Sequence, residues 1–310
     1  MSNILIIKHG SLGDVIQANG AIADIKQSFP SSKILLLTGK NFISLMSECP
    51  YVDGVILDKR LPRWNFFYLH KLKKLLARYN FSHVFDLQNS SRTMFYKKFL
   101  LKSPKWSSAE TSLAKGEKKS NFDKSPVLDR MEIQLKKSGI KTNFIKNIDL
   151  TWAIVDIEKI IKKNTSREFI LIFPFCSNKH PNKKWPYYKK LVEKIREFYK
   201  KKYSILVAPG PHELEEAKKL NAKVILDNDV SLSLIQLISL INRSKFIIAN
   251  DTGPAHISSH LNKNGIVLFG SHTSAKKVSI ENTNFKAITV SKLEDLKVGH
   301  VFNEVKKKLN

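Results

Sequence analysis

Short apolar runs alternate with stretches in which apolar residues recur every three or four positions, first over residues 4–87 and again over 169–269. The short runs read as strands and the longer stretches as helices. In the first half the pattern predicts strands over 4–8, 33–38, 54–57 and 83–87, with helices over 15–27, 42–47 and 65–79. In the second it predicts strands over 169–173, 204–208, 223–226, 245–249 and 265–269, with helices over 187–199, 213–220, 231–242 and 254–261. Buried strands alternating with amphipathic helices are the signature of parallel sheets covered on both faces. The fold class expected is therefore α/β, with two doubly wound halves and a boundary near 155/156. Residues 149–168 read as the connection between them, and residues 103–125, rich in Lys and Ser, as a mobile surface loop. Two such halves facing each other would hold a ligand in a cleft at the carboxyl ends of their strands.

Length agrees with two cores, since 310 residues exceed what one core usually spans. A hydrophobic fraction of 42% excludes disorder as the dominant state. No apolar run approaches the ~18 residues of a membrane span. The start, Met1-Ser2-Asn3 followed at once by Ile4-Leu5-Ile6-Ile7, lacks the layout of a signal peptide and points to a cytoplasmic protein. Cys49 and Cys176 belong to no ligand cluster and read as buried spectators.

Charge adds a partner to the picture. With 53 Lys and Arg against 27 Asp and Glu, the net charge is +26, yet only 8 of the cations are Arg. A surface that reads nucleic-acid bases would carry more guanidinium groups, so no nucleic-acid partner is expected. Basic clusters at Lys71, Lys73, Lys74 and Arg78, at Lys97, Lys98, Lys102 and Lys105, and at Lys115, Lys118 and Lys119 suit either solvated helix faces or a diffuse attraction to an anionic surface.

Three loops that follow predicted strands carry candidate chemistry. The first is Lys8-His9-Gly10-Ser11-Leu12-Gly13-Asp14, where two glycines permit a tight turn and a helix start offers free N–H groups. Asp14 suits either a helix N-cap or a carboxylate that takes a proton from an attacking hydroxyl. A second loop, from Pro174-Phe175-Cys176-Ser177 to Lys183-Lys184-Trp185-Pro186, brings hydroxyl and ammonium groups suited to a diphosphate. The third, Asn250-Asp251-Thr252-Gly253-Pro254-Ala255-His256, places Pro in the first turn of a helix whose N–H groups can seat a phosphate. Asp227-Asn228-Asp229 has the Asp-x-Asp form of a metal-binding motif but reads as a capping loop.

In combination, Lys8 to Ile16, Lys183-Lys184-Trp185-Pro186 and Asn250 to His256 resemble the heptosyltransferases of glycosyltransferase family 9, with matching spacing over nearly the whole chain. The resemblance implies a GT-B fold, two Rossmann-like domains facing across a cleft, with residues 1–155 binding the acceptor and 156–310 the nucleotide-sugar. It implies an ADP-heptose donor, an anionic lipid-linked acceptor in the lipopolysaccharide inner core, inversion at the anomeric carbon, and neither metal nor cofactor. It also implies peripheral attachment to the inner face of the inner membrane. By resemblance Asp14 is the general base, Ser11 and Gly13 belong to the acceptor loop, and Lys183 is the diphosphate lysine, with Lys184 its alternative. Asp251, Thr252, Gly253 and His256 form the donor motif, with Ser177 in the phosphate loop. The Pro174-Phe175-Cys176-Ser177 start of that loop departs from the Gly-Ala/Ser commoner in the family. Rival readings are a GT-B transferase with another sugar or acceptor, a basic nucleic-acid-binding protein and a Rossmann oxidoreductase.

Overall fold

The computed structural model describes residues 2–177 and 179–309. The chain separates into two compact units, Met1–Trp152 and Ala153–Asn310, each with its own parallel sheet. Unit 1 runs β1 (Asn3–Ile7), α1 (Leu12–Ser28), β2 (Lys33–Thr38), α2 (Ile43–Ser47), β3 (Gly54–Leu57), α3 (Phe66–Ala77), β4 (Phe81–Asp86), α4 (Ser91–Phe99), β5 (Lys105–Ser107), α5 (Ala109–Ser112), α6 (Lys119–Phe122) and α7 (Val127–Lys137). Unit 2 runs α8 (Glu158–Asn164), β6 (Phe169–Phe173), α9 (Tyr188–Tyr199), β7 (Ser204–Val207), α10 (Leu214–Ala217), β8 (Lys223–Val224), α11 (Leu234–Arg243), β9 (Phe246–Asn250), α12 (Gly253–His260), β10 (Gly265–Phe269), β11 (Phe285–Thr289) and α13 (Val298–Leu309).

The sheet of unit 1 has the order β3-β2-β1-β4-β5 and that of unit 2 the order β11-β10-β9-β6-β7-β8, all parallel. Ile4 to Ile7 in β1 and Ile170 to Ile172 in β6 are fully buried, as strands covered on both faces must be. In unit 1 the chain winds outward from β1 to β3, then returns to place β4 on β1's other side. In unit 2 the same reversal falls between β6 and β9. At such a point the loops leaving neighbouring strands diverge and open a crevice at the carboxyl ends.

Residues 103–125 are not the loose loop that their composition suggests. β5 pairs with β4 and forms the edge of the sheet, and the Trp106 indole N–H donates to the Leu101 carbonyl at 2.9 Å. Ser108 caps α5, the Ala109 N–H donates to Asn89 Oδ1 at 2.6 Å, and Phe122 is buried. Ser107 and Ser112 are buried and hydrogen-bonded, so a polar composition conceals an ordered edge. Helices α4, α7, α8 and α13 and strand β11 also lie outside the predicted pattern. β11 is an edge strand with only Phe285 fully buried, and such an edge gives a weak apolar signal.

Helix α1 packs against the segment after α7 at backbone distance. A Cβ on Gly20 would lie 2.3 Å from the Phe144 carbonyl oxygen. Four residues on, the buried Asp24 carboxylate accepts the N–H groups of Asn143, Phe144 and Ile145 at 2.7, 2.9 and 3.1 Å. Gly20→Ala should therefore cost ~1–3 kcal/mol through overpacking. Asp24→Ala should cost at least as much, because each buried N–H left without a partner costs ~1–3 kcal/mol. Urea unfolding measures both, and wild-type midpoints for the two variants would contradict this packing.

Candidate active site

At the switch point of unit 1, the loop after β1 is held by the loop after β4. Gln88 Oε1 accepts the N–H groups of His9 and Gly10 at 2.9 and 3.0 Å, and Asp86 in turn accepts those of Gln88 and Asn89. Gly10 has φ +64°, and a Cβ there would meet Val15 Cγ2 at 2.5 Å, so the turn requires glycine. The N-cap of α1 is Ser11, not Asp14. Asp14 sits three residues inside the helix and its Oδ2 accepts from the Ser11 N–H and hydroxyl at 2.8 and 2.9 Å, closing a capping box. Asp14 is half-buried, Gly13 is buried in the first turn and Ser11 is exposed.

Two buried groups flank this loop that sequence reasoning did not single out. Lys8 Nζ donates to the Leu87 carbonyl at 2.9 Å. Burial lowers the Lys8 pKa, against the attraction of Asp14 and Asp86. His9 Nε2 lies 2.7 Å from Asp58 Oδ2, with both side chains inaccessible. Asp58 also accepts the hydroxyls of Tyr96, at 2.8 Å, and Tyr68. Burial raises the Asp58 pKa, but the bonds from His9 and the tyrosines outweigh it and hold the carboxyl well below its usual range. Tyr96 is pushed up to about 12, first by burial and then by the Asp58 charge, against the Arg92 guanidinium. His9 and Asp58 both follow strand ends, a signal that was available in the sequence.

In unit 2 the switch-point loops are those after β6 and β9. Asn250, fully buried, joins them: its Nδ2 donates to the Pro174 carbonyl at 2.7 Å, and its Oδ1 accepts the Tyr188 hydroxyl at 3.3 Å. Trp185, 1% exposed, anchors the Lys-Lys-Trp-Pro segment by donating to the Leu296 carbonyl at 2.9 Å and stacking edge-on against Tyr188. The lysine two residues earlier thereby reaches the end of β9, where Lys183 Nζ lies 2.6 Å from Asp251 Oδ2. Lys184 turns instead to Glu216, so geometry distinguishes the two lysines.

Asp251 is the centre of this cluster. Beside Lys183, its Oδ2 contacts His272 Nε2 at 3.0 Å and its Oδ1 lies 3.8 Å from His256 Nε2. Burial raises the Asp251 pKa, but the Lys183 ammonium and the histidines outweigh it, leaving the carboxyl below its ordinary value. His272 is lowered by burial, with Asp251 opposing. His260 on α12 is lowered to about 3 by burial and then by His256, and stays neutral. Thr252 occupies the N-cap position of α12 and Gly253 its first turn, so the helix starts immediately after Asp251; Pro254 has no N–H, and that of Ala255 donates to the Thr252 carbonyl at 3.1 Å. His272 was missed by sequence reasoning, although it too follows a strand end, that of β10.

Ser177 stands apart: it is exposed, and its bonds to Lys179 and His180 lie within its own loop. Cys49 is buried but Cys176 is only partly so, its thiol directed at the His180 carbonyl. Asp227 accepts from Gln236 Nε2 at 2.7 Å, while Ser233 supplies the cap of α11. Among the described residues no group of three or more His, Cys, Asp or Glu side chains is arranged to hold a metal ion. Asn178, inside the loop after β6, lies outside the described residues.

The sequence model of glycosyltransferase family 9 (heptosyltransferase) matches residues 69–303, three quarters of the chain. The chain belongs to glycosyltransferase family 9. Its fold is GT-B, similar to E. coli heptosyltransferase WaaC with ADP at TM-score 0.74 and 18% identity, covering 99% of both chains. E. coli ADP-heptose lps heptosyltransferase II is similar at TM-score 0.75 and 17% identity, covering 100% of this chain and 98% of that one. A Haemophilus influenzae protein named "Putative glycosyltransferase" is 40% identical over 60 residues, a stretch that spans 19% of this chain and 17% of that protein. The family 9 model covers the Lys183 and Asp251 cluster in unit 2, and the loop after β1 lies ahead of the matched residues.

The pairing of Lys183 with Asp251 has a pH signature. A carboxyl whose folded pKa is depressed adds stability that is present above the unfolded carboxylate range and is lost as pH falls through the folded value. Lys183→Met removes the main opposing charge and leaves burial to raise that pKa. The stability difference between wild type and Lys183→Met should therefore be largest near pH 6 and shrink toward pH 3. Denaturant unfolding across that range checks it, and a constant difference would mean that the pair does not set the Asp251 protonation.

Proposed function

We propose that this glycosyltransferase is an inverting heptosyltransferase that moves heptose from ADP-heptose to an anionic, lipid-linked saccharide of the lipopolysaccharide inner core. Unit 2 holds the donor, unit 1 receives the acceptor, and the protein works at the inner face of the inner membrane as a peripheral protein. The observation that carries the reading is the Lys183 ammonium held 2.6 Å from Asp251 at the start of α12. An ammonium and the start of a helix at one strand end, here opening with the Gly253 N–H, are elements that bind a diphosphate. Further support comes from the heptosyltransferase description of the family and from the ADP in a solved structure of the same fold.

In this mechanism the acceptor hydroxyl gives its proton to the Asp14 carboxylate, and its oxygen attacks the anomeric carbon from the face opposite the diphosphate. The bond from that carbon to the diphosphate oxygen breaks, ADP leaves with the electron pair, and the configuration inverts. Lys183 and the N–H groups near Thr252 and Gly253 meet the charge that builds on the leaving oxygen. Asp251 keeps Lys183 in position, and His256 and His272 fix Asp251 from its other sides. Ser11 serves here by donating its N–H and hydroxyl to the Asp14 carboxylate, which fixes that carboxylate at the start of α1. Ser177 and Gly13 complete the donor and acceptor loops.

Two measurements test this. ADP at a hundredfold excess over its Kd should stabilise the protein by ~2.7 kcal/mol, read as a rise in melting temperature, and Thr252→Trp should abolish that rise. No response to any nucleotide in a full panel would remove the donor assignment, and a response to a different nucleotide would favour another GT-B transferase. Asp14→Asn keeps an oxygen for the Ser11 N–H but cannot take the proton. Heptose transfer to a truncated lipid A acceptor, followed by mass spectrometry, should then fall by ~10²–10⁴-fold with melting temperature and ADP response near wild type. Undiminished transfer by folded Asp14→Asn would exclude Asp14 as the base.

A further inference from the structure

The segment between β3 and α3 presents three aromatic side chains to solvent: Trp64 is 74% exposed, Phe66 77% and Phe67 86%. Single exposed apolar residues are ordinary, but a group of large ones is not. These are not on a slack loop. Asn65 caps α3 by accepting the Tyr68 N–H at 3.0 Å, which fixes Phe66 and Phe67 on the first turn. Behind them, the Arg92 guanidinium of α4 donates to the carbonyls of Arg60 and Leu61 at 3.2 and 2.9 Å, and Arg63 lies over the Phe95 ring. The aromatics are held outward by a braced turn.

Charge around this turn has one sign. Residues 59–109 contain twelve Lys and Arg but one acid, Asp86, which is buried. Phe67, Lys71, Lys74 and Arg78 share one exposed stripe of α3, because their spacings of four, three and four residues follow the helix turn. Next to Phe67 a cavity of about 390 Å³ has Leu57, Leu61 and Leu72 in its walls and both Lys59 and Lys71 among its lining residues.

We infer that Trp64, Phe66 and Phe67 form a bilayer-insertion turn, seated among anionic lipids by the basic stripe of α3 and the Lys59 and Lys71 cavity. This deepens the membrane part of the reading above, on which it rests only for its biological purpose. Aromatic rings favour the boundary between acyl chains and headgroups, and long Lys side chains can lie along apolar surface while their ammonium groups reach phosphates. Basic residues at that depth are drawn to anionic headgroups, an attraction that salt weakens. A second copy of this chain is a poor occupant, since it would bring the same uncompensated cations face to face. A nucleic acid would match the charge but would leave the leucine walls of the cavity without an apolar partner.

The test uses the full chain and acceptor-free vesicles of phosphatidylcholine, with or without 30% phosphatidylglycerol. Wild type should bind the anionic vesicles at least tenfold more tightly than neutral ones. The triple variant Trp64→Ser, Phe66→Ser, Phe67→Ser should lose at least tenfold of that binding. Lys71→Gln with Lys74→Gln should erase the preference for anionic lipid. Bromine-labelled acyl chains should quench part of the tryptophan fluorescence in wild type and less in Trp64→Phe, a variant that keeps an aromatic ring and provides the reading should the triple variant not fold. Equal vesicle binding by wild type and a folded triple variant, or quenching unchanged by Trp64→Phe, would overturn the inference. So would vesicle binding that appears only when acceptor is added, or aromatic-dependent dimers or RNA binding without vesicle binding. The ADP-induced rise in melting temperature should survive in every variant, so failure here is separable from failure of the donor-site reading.

Discussion

A parallel strand that is covered on both faces cannot be followed directly by its neighbour, because the chain must cross over the sheet before it can run the same way again. That constraint, imposed by the fully buried runs of β1 and β6, generates most of what is useful in this molecule. Crossovers on both sides of a sheet oblige the order to reverse once, between β1 and β4 in one unit and between β6 and β9 in the other. The reversals leave paired loops at the carboxyl ends, and Asp14 in one unit and Lys183 with Asp251 in the other sit on them.

What holds those loops is a small set of buried or half-buried polar side chains, each bonding more than one group. Gln88 takes two N–H groups from the β1 loop, and Asn250 bonds across the ends of β6 and β9. Each fixes irregular backbone where no strand ladder is available to satisfy it. The cost of leaving such groups unpaired in a low-dielectric interior is what makes the geometry specific. Asp251 does the same with charge: an ammonium and two imidazoles converge on one buried carboxylate, and Lys184 is excluded because Glu216 holds it elsewhere.

Sequence periodicity located the central strands because their burial makes them uniformly apolar, and it located the loops that carry Asp14, Lys183 and Asp251 because glycine, proline and charge interrupt that apolarity. It did not reveal β11 or the order in residues 103–125, where stability comes from caps and edge pairing that leave no apolar stripe. The partnership of Lys183 with Asp251 spans 68 residues and exists only once β6 and β9 lie side by side. Gln88 and His272 were invisible for the same reason. Each is a lone polar residue after a strand, and its importance lies in what the sheet order brings within reach. Asp14 shows the finer limit: its residue type suggested a cap, and only the fold of the turn distinguishes the capping residue Ser11 from its partner three positions on.

The bond from Asp24 to the segment after α7 has a consequence for how the protein is made. The three N–H groups that satisfy this carboxylate lie 119 to 121 residues farther along the chain. On a ribosome adding ~5–20 residues per second, α1 waits roughly 6–24 s before its partners emerge. Through that interval a helix already rich in apolar residues carries a carboxylate that has no place in a dry core, which favours keeping it hydrated and uncommitted. This corner of unit 1 therefore closes late, when residues 143–145 arrive over Gly20, and a ribosome that stalls before residue 143 leaves Asp24 without those three partners.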